Sequence, residues 1–552
     1  MSSRISLAGS HITYEFENGT PLFRELNFSF GQKSYGLIGP NGVGKTTLVK
    51  LLSREISPQL GAISCNGSLE VLPQIRNRSD QNSTKESIAE VLEMQNIIKA
   101  LRQVEWGDSS PDVLDLIGDH WDLEARIQKA FQSLGIEYLT LLQSTHSLSG
   151  GEWVKIHLAK LLLNSPSIAL LDEPSNNLDE DGRRALYQFI ENWKGCLIVV
   201  SHDRKLLSHV QTIVELSKNG LQFYGGNYQF YLDEREKEMN ALEQQITTAQ
   251  QEEKRQKADL QKNLERQQKR MYKGKKAAAN GGIPKIAAGG LQRMAQGTMA
   301  RIKGVQENRL LDAQLQTQAL RAKIRERNRI QIDIPETALH LKKEVLEIEG
   351  FNFRYTGSPD FLYSQSLSFR LMGPKRVRMT GPNGAGKSTL IRLLLQSITD
   401  PGESSFGECK GLIQLKTSRV AYLDQNLGIL GKGEDSLLDH FSQTTPHLSQ
   451  SERRIRLGRF LFNQSNQLKK ISDLSGGERM RAALACSLFS ETPPELLVLD
   501  EPTNNMDMDS VEQIESALSH FKGAIIIISH DSEFLMNIGA TEEWSIPHRF
   551  NS

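Results

Sequence analysis

No run of residues in this chain is apolar for long enough to cross a bilayer. The longest lies near Ile525–Ile528, whereas a spanning helix needs roughly 18–20 residues, so the chain does not form a transport channel of its own. Cysteine is scarce. Cys65, Cys196, Cys409 and Cys486 are scattered and make no CxxC pair, which argues against a disulfide framework or a cysteine zinc site and fits the reduced thiols of a cytosol. Residues Met1–Ser10 lack a charged start followed by an apolar core, so no secretory signal is expected and the expected location is cytoplasmic. Net charge is also missing, since 66 Lys+Arg balance 66 Asp+Glu. Within Lys254–Lys303, however, 14 basic residues stand against only Asp259 and Glu265, a local excess of +12. The remainder of the chain is therefore mildly acidic, and the basic stretch is a candidate polyanion-binding element.

What the chain does have is repetition. Gly39-Pro40-Asn41-Gly42-Val43-Gly44-Lys45-Thr46-Thr47 returns about 330 residues later as Gly381-Pro382-Asn383-Gly384-Ala385-Gly386-Lys387-Ser388-Thr389. Leu148-Ser149-Gly150-Gly151-Glu152 returns as Leu474-Ser475-Gly476-Gly477-Glu478, Leu171-Asp172-Glu173-Pro174 as Leu499-Asp500-Glu501-Pro502, and Ser201-His202-Asp203 as Ser529-His530-Asp531. The order is the same both times. A length of 552 residues allows three or four domain-sized units. The repeats divide it into residues 1–230, a segment 231–336 and residues 337–552.

Each repeat reads as α/β. Ser34–Ile38 and Val377–Thr380 are strands that run into the glycine loops. Ile168–Leu171 and Cys196–Val200 are short and apolar, as buried parallel strands are, and Glu495–Leu499 and Ala524–Ile528 are the matching strands of the second repeat. The segment between is different. Tyr231–Lys276 has no proline and is rich in Glu, Gln, Lys and Arg, and Leu310, Ala313, Thr317, Leu320 and Ile324 step by three and four along a second run over Leu291–Arg329. Ala277–Gly290, with its glycines and Pro284, separates the two. The expectation is an antiparallel helical hairpin with its tip at about 277–290, reaching roughly 60 Å for forty helical residues.

A glycine loop between strand and helix turns backbone N–H groups onto phosphates at the helix N-terminus. Lys45 and Lys387 are placed to reach the β- and γ-phosphates, and Thr46 and Ser388 to hold Mg²⁺. Asp172 and Asp500 end apolar strands, where an acid can bind the metal through water. Glu173 and Glu501 follow and are candidate general bases for the attacking water. His202 and His530 follow the next strand and can contact the γ-phosphate.

These motifs resemble the ATP-binding-cassette superfamily over most of 1–230 and 337–552, and the Leu-Ser-Gly-Gly-Glu signature is the discriminating piece. The resemblance implies two such ATPase domains in tandem that bind ATP and Mg²⁺. It also implies crossed sites, with Ser475, Gly476 and Gly477 completing the Lys45 site and Ser149, Gly150 and Gly151 completing the Lys387 site. Gln74 and Gln425 match the family's metal-sensing glutamine, and Phe16 and Tyr355 its adenine-stacking aromatic.

Two cassettes on one chain with a charged helical linker resemble the F subfamily. Its members are translation factors at the ribosomal tRNA exit site, and some protect ribosomes from antibiotics. The implied partner is the ribosome, rRNA and tRNA, met through the linker, with no membrane partner and a monomer whose cassettes pair with each other. Asn177 and Asn505 replace a His usual in that branch. The interval Gln74 to Ser149 exceeds Gln425 to Ser475 by about 25 residues, and the extra segment near Met94–Asp119 carries Glu105, Asp108, Asp112, Asp115 and Asp119 against Lys99 and Arg102. Such an acidic insert suits rRNA poorly, so a short or vestigial arm is expected. Two rivals remain open at this point: the ATPase component of a transporter with a separate membrane partner, and a DNA-acting ATPase of the same superfamily.

Overall fold

The computed structural model describes residues 5–16, 19–73, 86–108, 110–176, 178–279, 304–305, 308–320, 337–382, 384–397, 407–431, 433–504 and 506–547. The chain falls into two compact units. One joins Met1–Phe230 with Arg329–Ser552, and the other is Tyr231–Asn328.

The first unit contains the same architecture twice. In the first cassette six strands lie in the spatial order Leu69–Leu72, Ile168–Asp172, Cys196–Val200, Ser34–Ile38, Thr212–Ser217 and Gly220–Tyr224. All pairings are parallel except the last. In the second cassette the order is Val420–Leu423, Leu496–Asp500, Ala524–Ile528, Arg376–Thr380 and Glu542–Ser545, all parallel. Every residue of Ile168–Asp172, Cys196–Val200 and Ala524–Ile528 is buried. Layers cover both faces, which is why these strands read as continuous apolar runs. In the second cassette Ala524, Ile526 and Ile528 pack into one core, and Ile525 and Ile527 into another across the sheet. A three-stranded antiparallel sheet completes each cassette: Pro21–Phe30, Ser6–Glu15 and Leu60–Asn66 in the first, and Leu367–Met372, Glu344–Tyr355 and Gly407–Leu415 in the second.

The acidic insert, expected as a short or vestigial arm, folds as a short pair of helices. Helices Gln95–Glu105 and Pro111–Ile117 share a small core of Ala100, Val113 and Ile117, with Leu101 and Val104 against it.

In the second unit one helix runs from Tyr228 to Ala279, 52 residues, or about 78 Å at 1.5 Å per residue. It continues past Lys276 into Ala277–Ala279, because alanine and lysine are good helix formers. Residues 308–320 are helical as well, with Thr317 buried and its hydroxyl donating to the Ala313 carbonyl. Of the expected tip, 277–290, the first three residues are thus helical, and 280–290, with most of the second run, lie outside the described residues.

Candidate nucleotide sites

Both phosphate loops leave the C-terminal end of a central parallel strand, the usual place for a ligand in an open α/β sheet. Each enters its helix, Lys45–Leu52 or Lys387–Gln396, through a left-handed glycine, Gly44 at φ 104° and Gly386 at φ 92°. Only glycine fits there. A Cβ on Gly44 would lie 2.8 Å from Phe23 Cζ, and one on Gly386 2.6 Å from Leu362 Cδ2. The lysines curl over their own loops. Lys45 Nζ donates to the Gly39 and Pro40 carbonyls at 2.7 and 3.1 Å, and Lys387 Nζ to those of Gly381 and Pro382 at 2.7 and 3.0 Å. Burial lowers the pKa of both ammonium groups, opposed by Glu173, Asp507 and Asp172 around Lys45 and by Glu501, Asp500 and Asp179 around Lys387.

The acids sit where the strands end. Ser388 Oγ donates to Asp500 Oδ2 at 3.2 Å, and the Tyr422 hydroxyl reaches the same oxygen at 3.3 Å. Asp172 is 3% exposed. One carboxylate, one hydroxyl and phosphate oxygens are the hard ligands that Mg²⁺ prefers, so the residues present fit the ion. Among the described residues no group of three or more His, Cys, Asp or Glu is arranged to hold a metal.

Glu173 and Glu501 adopt left-handed backbone, φ 51° and 49°. For a non-glycine residue this costs about 1–2 kcal/mol. The same strain at both repeats is held by hydrogen bonds from Glu173 N–H to the Val200 carbonyl and from Glu501 N–H to the Ile528 carbonyl, both 2.9 Å. Burial, with Asp172 beside it, raises Glu173 to about 8 despite the opposing charge of Lys45. Burial raises Glu501 to about 7, with Arg183 opposing. His202 Nε2 lies 3.6 Å from Glu173 Oε1, and His530 Nε2 3.5 Å from Glu501 Oε1. Burial pushes the imidazoles down to about 3 and about 4, so they are neutral and these contacts are not ion pairs.

Each signature serine starts a helix. Ser149 Oγ accepts from Glu152 N–H at 3.2 Å and Ser475 Oγ from Glu478 N–H at 3.3 Å. Both glutamates bond back to the serine N–H, a reciprocal cap. That leaves each serine O–H free to donate to a ligand. Gly150, Gly151, Gly476 and Gly477 open the helices Gly150–Asn164 and Gly476–Leu488.

The cassettes meet at their sites. Asn41 N–H in the first phosphate loop donates to Asp507 Oδ2 of the second cassette at 2.9 Å. A cavity of about 300 Å³ beside Lys387 is lined by Asp179, Glu180 and Asp181 of the first cassette together with Gly381, Pro382 and His530. A smaller one is lined by Glu173, His202 and Arg183 from one cassette and Glu501, His530 and Asp531 from the other.

The aromatics and glutamines differ in what the structure says of them. Tyr355 ends its strand half-exposed and its hydroxyl bonds to Thr389 Oγ1 at 2.7 Å, beside the phosphate helix. Phe16 is 44% exposed, edge-on to Tyr14. Gln425 is an exposed turn residue after Val420–Leu423. Gln74, Asn177, Asn383 and Asn505 lie outside the described residues. Sequence reasoning did not single out Asp507, Tyr422, Arg183 or Arg204. Comparing the two repeats position by position would have flagged the arginines, which stand opposite Val511 and Ser532.

A strand, a glycine loop, a capped signature helix, an acidic strand end and a histidine loop, present twice and facing each other, define a tandem ATP-binding cassette. The family model described as ABC transporter matches residues 23–176 and 364–504. ABC transporter F family member 4 of Arabidopsis thaliana is 30% identical, over 93% of this chain and 69% of its own length. ATP-binding protein Uup of Escherichia coli (strain K12) is 29% identical, over 92% of this chain and 75% of its own. Among solved structures, an archaeal ribosome recycling factor in complex with a ribosomal stalk protein covers 96% of this chain, and 86% of its own is covered, with a TM-score of 0.54 at 18% identity, a likeness of fold. The chain belongs to the F subfamily of ATP-binding-cassette proteins and is an ATPase. Among the described residues no helix is long and apolar enough to cross a membrane.

Proposed function

We propose that the two cassettes close on two Mg·ATP as one clamp, and that closure and reopening reposition the segment 231–336 on a ribosome–tRNA complex in the cytoplasm. Translation regulation and protection from antibiotics are the two outcomes this reading covers. In it, the loops Gly39–Thr47 and Gly381–Thr389 cradle the phosphates, and Phe16 and Tyr355 stack on adenine. Mg²⁺ would be held by Thr46, Asp172 and Gln74 in one site and by Ser388, Asp500 and Gln425 in the other, and it supplies charge neutralisation on the phosphates. Glu173 and Glu501 take the proton of the attacking water. Values raised toward neutrality suit a general base. Neutral His202 and His530 offer an N–H to the γ-phosphate, and the signature of each cassette closes the site of the other.

The observation that carries the ribosomal part is the basic helical stretch within Lys254–Lys303. Alternating signs would suit a solvated spacer. A stretch in which positive charge predominates suits phosphate binding. Membership of the F subfamily supports the same reading. The test is co-sedimentation of the Glu173→Gln/Glu501→Gln form with ribosomes under ATP, against membranes and against duplex DNA, with and without RNase. RNase-sensitive binding to ribosomes alone is the expected result. Binding to membranes or DNA instead would replace the reading.

A further inference from the structure

The two cassettes align without a gap from Asp172/Asp500 through His202/His530, and on to the helix that follows each histidine. Their charges near the shared boundary do not repeat. Arg183, Tyr187, Arg204 and Lys205 of the first cassette stand opposite Val511, Glu515, Ser532 and Glu533 of the second. At three of these four positions the first cassette is basic where the second is acidic or neutral.

The geometry follows from that exchange. Arg204, two residues after His202, has a side chain only 4% exposed. Its Nη1 lies 2.8 Å from Glu515 Oε1 and 3.6 Å from Glu533 Oε1, both in the second cassette. Asn537 Nδ2 donates to the other Glu515 oxygen at 3.1 Å and fixes its orientation. Glu515 lies on the helix Met508–Ser519, whose cap Asp507 accepts from Asn41 N–H. One rigid helix of the second cassette thus grips the Lys45 site at two places: the phosphate loop through Asp507 and the histidine loop through Glu515.

Among the described residues the matching helix of the first cassette, Glu180–Asn192, makes no such ion pair to the second cassette, and Asn383, the counterpart of Asn41, lies outside them. Arg183 Nη1 and the Tyr187 hydroxyl both donate to Asp203 Oδ2 of their own cassette, at 2.8 and 3.2 Å. Ser532 stands where a second arginine would be, and it carries no charge for an acid to hold. Opening the Lys45 side must separate a buried ion pair, and a charge left buried without its partner is costly. Among the described residues no buried ion pair of this kind holds the Lys387 side.

We propose that Arg204, held by Glu515 and Glu533, is a one-sided latch that keeps the Lys45 site closed longer than the Lys387 site. Arg204 is a positioning residue that acts through the histidine loop. The inference rests on the crossed-site reading above and not on the ribosomal part, and its test uses the isolated full chain.

The test follows nucleotide loss from each loop separately. The Glu173→Gln/Glu501→Gln chain is loaded with Mg²⁺ and azido-ATP, chased with ATP, and photolysed at intervals. The label kept on each phosphate-loop peptide is read by mass spectrometry. The expected parent shows slower loss at the Lys45 loop than at the Lys387 loop. Arg204→Ala, and Glu515→Gln with its shape kept and its charge removed, each speed loss at the Lys45 loop by about tenfold or more and leave the Lys387 loop unchanged. Arg204→Glu with Glu515→Arg and Glu533→Gln restores slow loss. Equal acceleration at both loops, no change at either, or no recovery in the charge-swapped form would each overturn the latch. Label confined to one loop from the outset would instead count against two working sites.

Discussion

The Asn41 backbone N–H donates to Asp507 Oδ2 at 2.9 Å, which ties the first phosphate loop to the start of a helix in the opposite cassette. Asp507 Oδ1 meanwhile caps that helix by accepting from Ser510 N–H at 2.9 Å. One carboxylate therefore does two jobs that substitution can separate. Asp507→Ser keeps a capping oxygen, so stability should fall little. It cannot reach Asn41 at the same time. A hydrogen bond to a charged group is worth about 1.5–3 kcal/mol, so kcat should drop by about tenfold or more if the bond forms in the reacting state. Steady-state ATPase assays beside a thermal melt check this, and a melt that falls while kcat holds would refute it.

Replacing Glu173 and Glu501 together with Gln keeps side-chain size and the left-handed backbone but removes the proton acceptor. ATP binding should persist and hydrolysis should fall by about 10²-fold or more, the usual worth of a positioned base. The expected form is closed and ATP-trapped, and its expression should inhibit growth or translation. Turnover equal to that of the parent would remove both residues from the assigned role.

Much of the fold was legible because the repeated motifs are local. A short strand, a glycine loop and a lysine opening a helix specify one another within about fifteen residues, and both copies lie where the sequence put them. The acidic insert was harder. Its charges were plain, but Ala100, Val113 and Ile117 form a core only once the two helices turn back on each other. Positive φ at Glu173 and Glu501 left no mark in composition, because glutamate is an ordinary strand-end residue and the strain is imposed by the Val200 and Ile528 carbonyls on neighbouring strands. The pairs across the cassette boundary, Asn41 with Asp507 and Arg204 with Glu515, join residues 466 and 311 positions apart. No local pattern announces such pairs, although comparing the repeats exposes the charge exchange behind the second.

Each site should need both halves of the chain. Ser149→Ala should impair nucleotide closure at Lys387, and Ser475→Ala closure at Lys45. Each serine also caps its own helix, so each change carries a stability cost of about 1 kcal/mol. Photolabelling of the two phosphate loops by an ATP analogue distinguishes the effects. Loss confined to the loop of the mutated cassette would contradict the crossed arrangement.

Glu495 supplies a pH test away from the sites. Burial alone would raise its pKa. The Lys343 ammonium, the Thr417 hydroxyl and Arg419 overcome that and hold it below the usual 4.5. Lys343 Nζ lies 2.6 Å and Arg419 Nη1 3.3 Å from its oxygens. Because the folded value is depressed, the stabilisation is fully present above pH 4.5 and is lost as pH falls through the folded value. Glu495→Gln should therefore destabilise the second cassette by about 2 kcal/mol at neutral pH, and the gap to the parent should close on acidification. Chemical denaturation at pH 7 and near pH 4 measures it. A gap that stays constant with pH would mean that packing, not charge, holds this corner.

The linker carries the widest consequence. Lys269, Arg270, Lys273, Lys275 and Lys276 lie in the last three turns or so of the 52-residue helix Tyr228–Ala279. Binding to phosphates releases counterions, so ribosome affinity should fall steeply as salt rises, with a slope that reports how many phosphates are engaged. Reversing all five to Glu should weaken binding by several kcal/mol, at roughly 1 kcal/mol or more for each charge-assisted hydrogen bond removed, and should flatten the salt dependence. Basal hydrolysis should hardly change, because none of the five belongs to the nucleotide-site motifs, while any ribosome-stimulated part should disappear. Binding measured across a salt series, beside ATPase assays with and without ribosomes, decides the matter. Unchanged affinity and slope would make the helix a solvated spacer and would remove the local support for a ribosomal target.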